Sequence, residues 1–169
     1  MKSSRCFLLA FLTSAVLLSQ NRDWTLSSGK VEKYTGIVVA NGRIGILPDD
    51  KPFRTKSIIL NNVYDKESPQ GVSKILLGIN FAQLGLEIDG ERIDENNISD
   101  WRQTLDMKAA RFTTQFTFKD KAKISYTIYA LRNMQYSGYI DIQIHPLKNL
   151  ELKAIGIIET PEEYHSPNS

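Results

Sequence analysis

Between residues 112 and 118 large apolar and polar side chains alternate without a break. Phe112, Thr114, Phe116 and Phe118 fall on one side, and Thr113, Gln115 and Thr117 on the other. A repeat of two residues matches the pleat of a β-strand, so one face of this segment rests on a core while the other meets water. The pattern resumes after a turn at Lys119-Asp120-Lys121. Residues 122–131 set Ile124, Tyr126, Ile128 and Ala130 against Ser125, Thr127 and Tyr129. Residues 136–144 place Ile140, Ile142 and Ile144 inward, with Asp141 and Gln143 outward. One sheet is therefore expected to continue through these strands.

The preceding sequence reads the same way. Two runs rich in β-branched residues, YTGIVVA (34–40) and RIGIL (43–47), flank Asn41-Gly42. This is a strong hairpin signal, because both residues tolerate the positive φ of a type I′ turn. A strand is expected at 56–60, continued or capped by 61–65. A largely apolar stretch, 74–84, is broken at Gly78. A second hairpin is expected across Asp89-Gly90, between 84–88 and 91–93, and a last strand at 150–158. No segment beyond the first twenty residues holds helical periodicity over ten or more positions. The fold class this predicts is all-β, an antiparallel β-sandwich preceded by a signal-peptide helix.

Four segments follow. Residues 1–20 read as a signal peptide: Lys2 and Arg5 precede an almost unbroken apolar run, 6–18, shorter than the ~20 residues that cross a bilayer. An uncleaved anchor is the alternative. Residues 21–33 read as a leader, 34–158 as the sandwich, and 159–169 as a polar tail. Export to the periplasm or the extracellular space is expected, with no membrane association once the signal is removed. Cys6 is the sole cysteine, so the exported part holds itself together by its core alone. Its length, about 145 residues, allows roughly two-thirds of the unfolded chain's surface to be buried. The net charge is +2, from 21 basic and 19 acidic residues. A balance so near neutrality argues against nucleic acid as the partner, since phosphate binding wants a basic face.

Motifs for bond-making chemistry are sparse. His145 and His165 are the two histidines; they form no pair at metal-ligand spacing, and their places, on the polar face of a strand and in the tail, suggest no nucleophilic triad. No metal and no cofactor is expected. Acidic clusters at Asp49-Asp50, Asp89/Glu91 and Asp94-Glu95 fall in turns, where aspartate suits the backbone geometry. Paired carboxylates for glycosidic cleavage would have to come from Asp100 with Asp106 or from Asp89 with Glu91, and both pairs read as solvated strand positions. Trp101-Arg102 has two readings. The indole stacks on a sugar ring while the guanidinium bonds its hydroxyls, or it packs in a core or interface. Tyr64-Asp65 carries the same pair of readings. Tyr64, Asp65, Trp101 and Arg102 are thus the candidate carbohydrate contacts.

Four short motifs in order carry a family likeness: VANGRIGI (39–46), LNNVYD (60–65), LEIDGE (86–91) and RQTLDM (102–107). Together, across about residues 34–158, the chain resembles the N-terminal domain of glycoside hydrolase family 65. That family includes maltose, trehalose and kojibiose phosphorylases and some α-glucoside hydrolases. The resemblance implies a β-supersandwich, of which this chain is a part. It also implies a following (α/α)6 barrel on the same polypeptide, which carries the general acid and handles phosphate or water. No catalytic residue is therefore assigned within this chain. The implied role is to brace the barrel of an enzyme acting on α-glucosides, with the polar end at Ser169 marking a truncated reading frame or a fragment. A free-standing carbohydrate-binding sandwich and an inert gene fragment are the alternatives.

Overall fold

The structure, a computed structural model, describes residues 24–29, 36–66, 71 and 73–161. The segment expected to form the signal helix, 1–20, lies outside the described residues, as does the end of the tail, 162–169. The described residues contain strands and turns and no helix.

In chain order the strands are β1 (Thr25–Ser28), β2 (Val39–Ala40), β3 (Ile44–Pro48), β4 (Thr55–Lys66), β5 (Ser73–Gly78) and β6 (Asn80–Ile88). They continue as β7 (Glu91–Arg92), β8 (Ile98–Asp106), β9 (Arg111–Phe118), β10 (Ala122–Ala130), β11 (Gly138–Pro146) and β12 (Leu152–Glu159). Every pairing is antiparallel. One sheet has the order β1-β8-β9-β10-β11, a second β2-β3-β4-β5, and a third β12-β6-β7. β1 comes from the segment expected to be a leader, and it extends the first sheet by pairing Thr25–Ser28 with residues 103–106 of β8.

Both hairpins form, by different turns. At the second, Asp89 and Gly90 have φ of 52° and 76°, and Ile88 faces Glu91 across the ladder. This is the two-residue turn with positive φ at both centres that a Gly-containing hairpin favours. At the first, the Asn41 amide donates to the Ile44 carbonyl at 3.2 Å, so the turn centres on Gly42 and Arg43, one residue later than the sequence predicts. Gly42 alone takes positive φ, 88°. Asn41 instead closes the loop with its side chain, whose Oδ1 accepts from the amides of Arg43 and Ile44 at 2.8 and 2.9 Å.

A single core joins the three sheets. Phe116, Phe118, Ala122, Ile124, Tyr126 and Ile128 supply the inner face of β9 and β10. They meet Ile44, Ile46 and Ile58 from β3 and β4, and Ala82, Leu86 and Ile88 from β6. The two smaller sheets are tied side by side into the opposing layer. Thr55 Oγ1 donates to the Ala82 carbonyl at 2.6 Å, and Asn80 Nδ2 donates to the Thr55 carbonyl at 2.7 Å. Phe53, from the turn between β3 and β4, plugs the space between layers. Its ring lies 4.7 Å from Tyr126 and 5.7 Å, edge-on, from Phe116. Its amide donates to the Tyr126 hydroxyl at 3.2 Å, so the phenol is satisfied where it is buried.

Coverage is uneven. Ile144, Ile142 and Ile140 of β11 are only partly buried, and β12 is exposed along nearly its whole length. On β9, by contrast, Phe118 is wholly enclosed. Replacing Phe118 by Ala should lower the stability of the chain by about 3–5 kcal/mol through lost transfer energy and an unfilled cavity. Urea unfolding checks this; a loss under about 1 kcal/mol would show that the ring is not part of a packed core.

Candidate functional site

An irregular strand, β8, holds two of the candidate residues. Its register against β9 shifts between Ser99 and Arg102, and Asp100 takes a φ of 55°. Such a bulge re-aims the side chains that follow it. Trp101 turns to the core, half-buried, with its ring 5.8 Å from that of Phe116 and 18° from parallel. One face of the indole is therefore occupied by Phe116. Arg102, the next residue, is exposed and sits opposite Gln115. Both residues line a shallow recess of about 440 Å³ with Ser27, Ser28, Gly29 and Asp100.

Tyr64 lies on β4, in the second sheet, opposite Ile75 and 54% exposed. Asp65 follows, opposite Lys74 in the register. The Tyr64-Asp65 and Trp101-Arg102 pairs belong to different sheets, and Tyr64 does not line the recess that Trp101 and Arg102 share.

Three of the four carboxylates considered for acid–base chemistry, Asp89, Glu91 and Asp106, are engaged elsewhere, while Asp100 is in no ion pair among the described residues. Asp89 bonds Lys121 Nζ at 2.6 Å and accepts from the Glu151 amide at 2.8 Å. Glu91 takes both oxygens to Lys119 Nζ, at 2.6 and 2.7 Å. These pairs clip the β6–β7 turn to the β9–β10 turn. Asp106 accepts from the Ala109 amide at 2.9 Å and from Arg111 at 3.0 Å. Each is held below the ordinary carboxylate range: Asp89 by the hydrogen bond from Lys121, Glu91 by that from Lys119, Asp106 by the Ala109 amide and then Arg111. Asp120 is lowered by its bond to Lys148. Asp50 runs the other way, raised by its hydrogen bond to Asp49. Among the described residues no three His, Cys, Asp or Glu side chains gather as metal ligands would.

A larger recess, about 600 Å³, opens along β8–β11. Asp100 stands at one side of it, and Gln115, Lys123, Ser125, Gln143 and His145 are among the residues that line it, with Phe116, Ile124 and Ile144 at its floor. Ser125 faces Gln115 on β9 and Gln143 on β11, and Lys123 faces His145. The sequence pattern places these residues outward. Their convergence depends on the register set by the turns at 119–121 and 131–137.

Sheets, core and register thus define a non-helical β-sandwich domain over the described residues, with its polar recess on the outer face of the five-stranded sheet. The family model described as "Glycosyl hydrolase family 65, N-terminal domain" matches residues 31–159, and the chain belongs to that family. It is 31% identical over 157 residues to a kojibiose hydrolase of Mucilaginibacter mallensis, a match covering 92% of this chain and 23% of that protein. It is 33% identical over 162 residues to a kojibiose hydrolase of Flavobacterium johnsoniae, covering 95% of this chain and 24% of that protein. The chain spans about a quarter of the length of these curated relatives.

The ion pairs set a pH dependence. A carboxylate with a lowered folded pKa stabilises the fold above its unfolded value and ceases to do so as pH falls through the folded value. Among the described residues four carboxylates are lowered and Asp50 alone is raised, from reference values of 3.8 for aspartate and 4.5 for glutamate. The Tm should therefore hold steady near neutrality and decline once pH drops below about 4.5. Asp89→Asn together with Glu91→Gln should flatten that decline in thermal melts. An equally steep acid limb in the double variant would show that the clips contribute nothing.

Proposed function

We propose that this chain is the N-terminal, non-catalytic sandwich of an exported family 65-type enzyme acting on α-glucosides. In that reading it forms part of a β-supersandwich and braces a catalytic (α/α)6 barrel carried on the same polypeptide. The observation that carries the reading is apolar surface left open in an otherwise closed fold. On β12, Ile155 is 40% and Ile158 73% exposed; on β5, Ile75 is 49% exposed. Burying such side chains is worth ~1.5–3 kcal/mol each, and large apolar side chains left exposed along two strands are what a covering partner would bury. The two relatives, about four times longer than the matched segment, provide the remainder that would cover it. Their shared name, kojibiose hydrolase, favours hydrolysis over phosphorolysis. Export is supported by Lys2 and Arg5 ahead of the apolar run at 6–18.

Carbohydrate contact by Tyr64, Asp65, Trp101 and Arg102 is a secondary part of this reading. Tyr64 and Arg102 are exposed, so each is available to a sugar or to a barrel loop.

The 169-residue chain, incubated with kojibiose or maltose with and without phosphate, should release neither glucose nor glucose 1-phosphate. Steady turnover would overturn the non-catalytic assignment. Expressed with residues 1–20 in a Gram-negative host, the chain should be recovered from the periplasmic fraction; a product confined to the cytosol would overturn export.

A further inference from the structure

The outer face of the five-stranded sheet holds polar groups that bracing does not use. Over much of this face the side chains satisfy one another. Thr113 bonds Thr127 at 2.9 Å, Ser27 bonds Thr104 at 3.1 Å, and Arg111 bonds Asp106 at 3.0 Å. One step along the ladder this stops. Among the described residues, the side chains of Gln115, Lys123, Ser125 and His145 have no hydrogen-bond or ion-pair partner. They converge on the recess of about 600 Å³, a size within the usual range for small-molecule clefts.

We propose that this recess binds a neutral, hydroxyl-rich ligand, a short oligosaccharide, across β9, β10 and β11. Register puts the Ser125 hydroxyl between the amides of Gln115 and Gln143. With strands spaced about 4.8 Å apart, this row is about 10 Å long, comparable to two linked sugar rings. Amides and hydroxyls both donate and accept, which suits ring hydroxyls that do the same. Charge selects against ions. Asp100 and Lys123 face the same recess, so an anion would meet the carboxylate and a cation the ammonium. Asp100 owes its place to the bulge that gives it a φ of 55°. At the far end of the outward row on β11, Tyr139 is 53% exposed, its ring 6.0 Å from that of Tyr129. An exposed phenol there offers an apolar surface to the C–H face of a sugar. The inference does not depend on the bracing role, and the inactivity expected of the chain toward disaccharides leaves it untouched.

The test is titration calorimetry on the whole 169-residue chain with maltohexaose, cellohexaose and inorganic phosphate. Saturable binding of at least one oligosaccharide is expected, with none of phosphate. Gln115→Ala with Gln143→Ala, both exposed positions, should weaken that binding about tenfold or more while leaving the circular dichroism spectrum and Tm unchanged. If the double variant does not fold, Ser125→Ala should give a smaller drop in the same direction. No heat from either oligosaccharide at about 10 mM would overturn the proposal. So would binding unchanged in the variants, or a preference for phosphate.

Discussion

The inner face of β9 and β10 is the interaction on which the rest of this structure depends. Phe116, Phe118, Ile124, Tyr126 and Ile128 emerge on one side of a hairpin and meet the other layer through Phe53. Strand alternation makes that face apolar, and the three-residue turn at 119–121, closed by the Lys121 amide on the Phe118 carbonyl at 3.1 Å, keeps the two strands in register. A slip of one residue would turn every ring toward water. The hydrogen bond from the Phe53 amide to Tyr126 adds direction to an otherwise non-directional contact. The stacked indole of Trp101 extends the aromatic cluster to β8.

The same alternation that builds the core also builds the outer face. Each inward isoleucine or phenylalanine on β9, β10 and β11 is followed by an outward polar residue, so the register that closes the core also lines up Gln115, Ser125 and Gln143. The opposing layer is less complete. It is closed where β3, β4 and β6 face the hairpin and open along β5 and β12. At Gly138, where β11 begins, a side chain would come within 2.6 Å of Ile46 Cδ1. The two layers come close there, and glycine permits it by having no Cβ.

Much of the fold was legible because periodicity and turn chemistry agreed. Alternation in 112–118, 122–131 and 136–144 marked β9, β10 and β11, and Asp89-Gly90 marked the β6–β7 hairpin. Family membership was legible from four short motifs in order. The losses have physical reasons. Strand β1, TLSS, is short, polar and exposed throughout, so it carries no pattern; only its partner β8 makes it a strand. β8 itself is hidden because its bulge breaks the alternation between Ser99 and Arg102. The first hairpin turn is displaced by one residue because the Asn41 side chain bonds the amides of Arg43 and Ile44. The packing of Trp101 on Phe116 follows from the same bulge. The recess follows from pairing across three strands. Neither can be read from spacing along one segment.

The central claim is that the two-faced β9–β10 hairpin is the stable heart of this domain. Native-state hydrogen exchange tests it most directly, because protection tracks the free energy of opening each segment. The slowest amides should be those of β9 and β10 that bond across the hairpin, with β1, β5 and β12 exchanging far sooner. Exchange from β9 and β10 as fast as from β5 and β12 would contradict it.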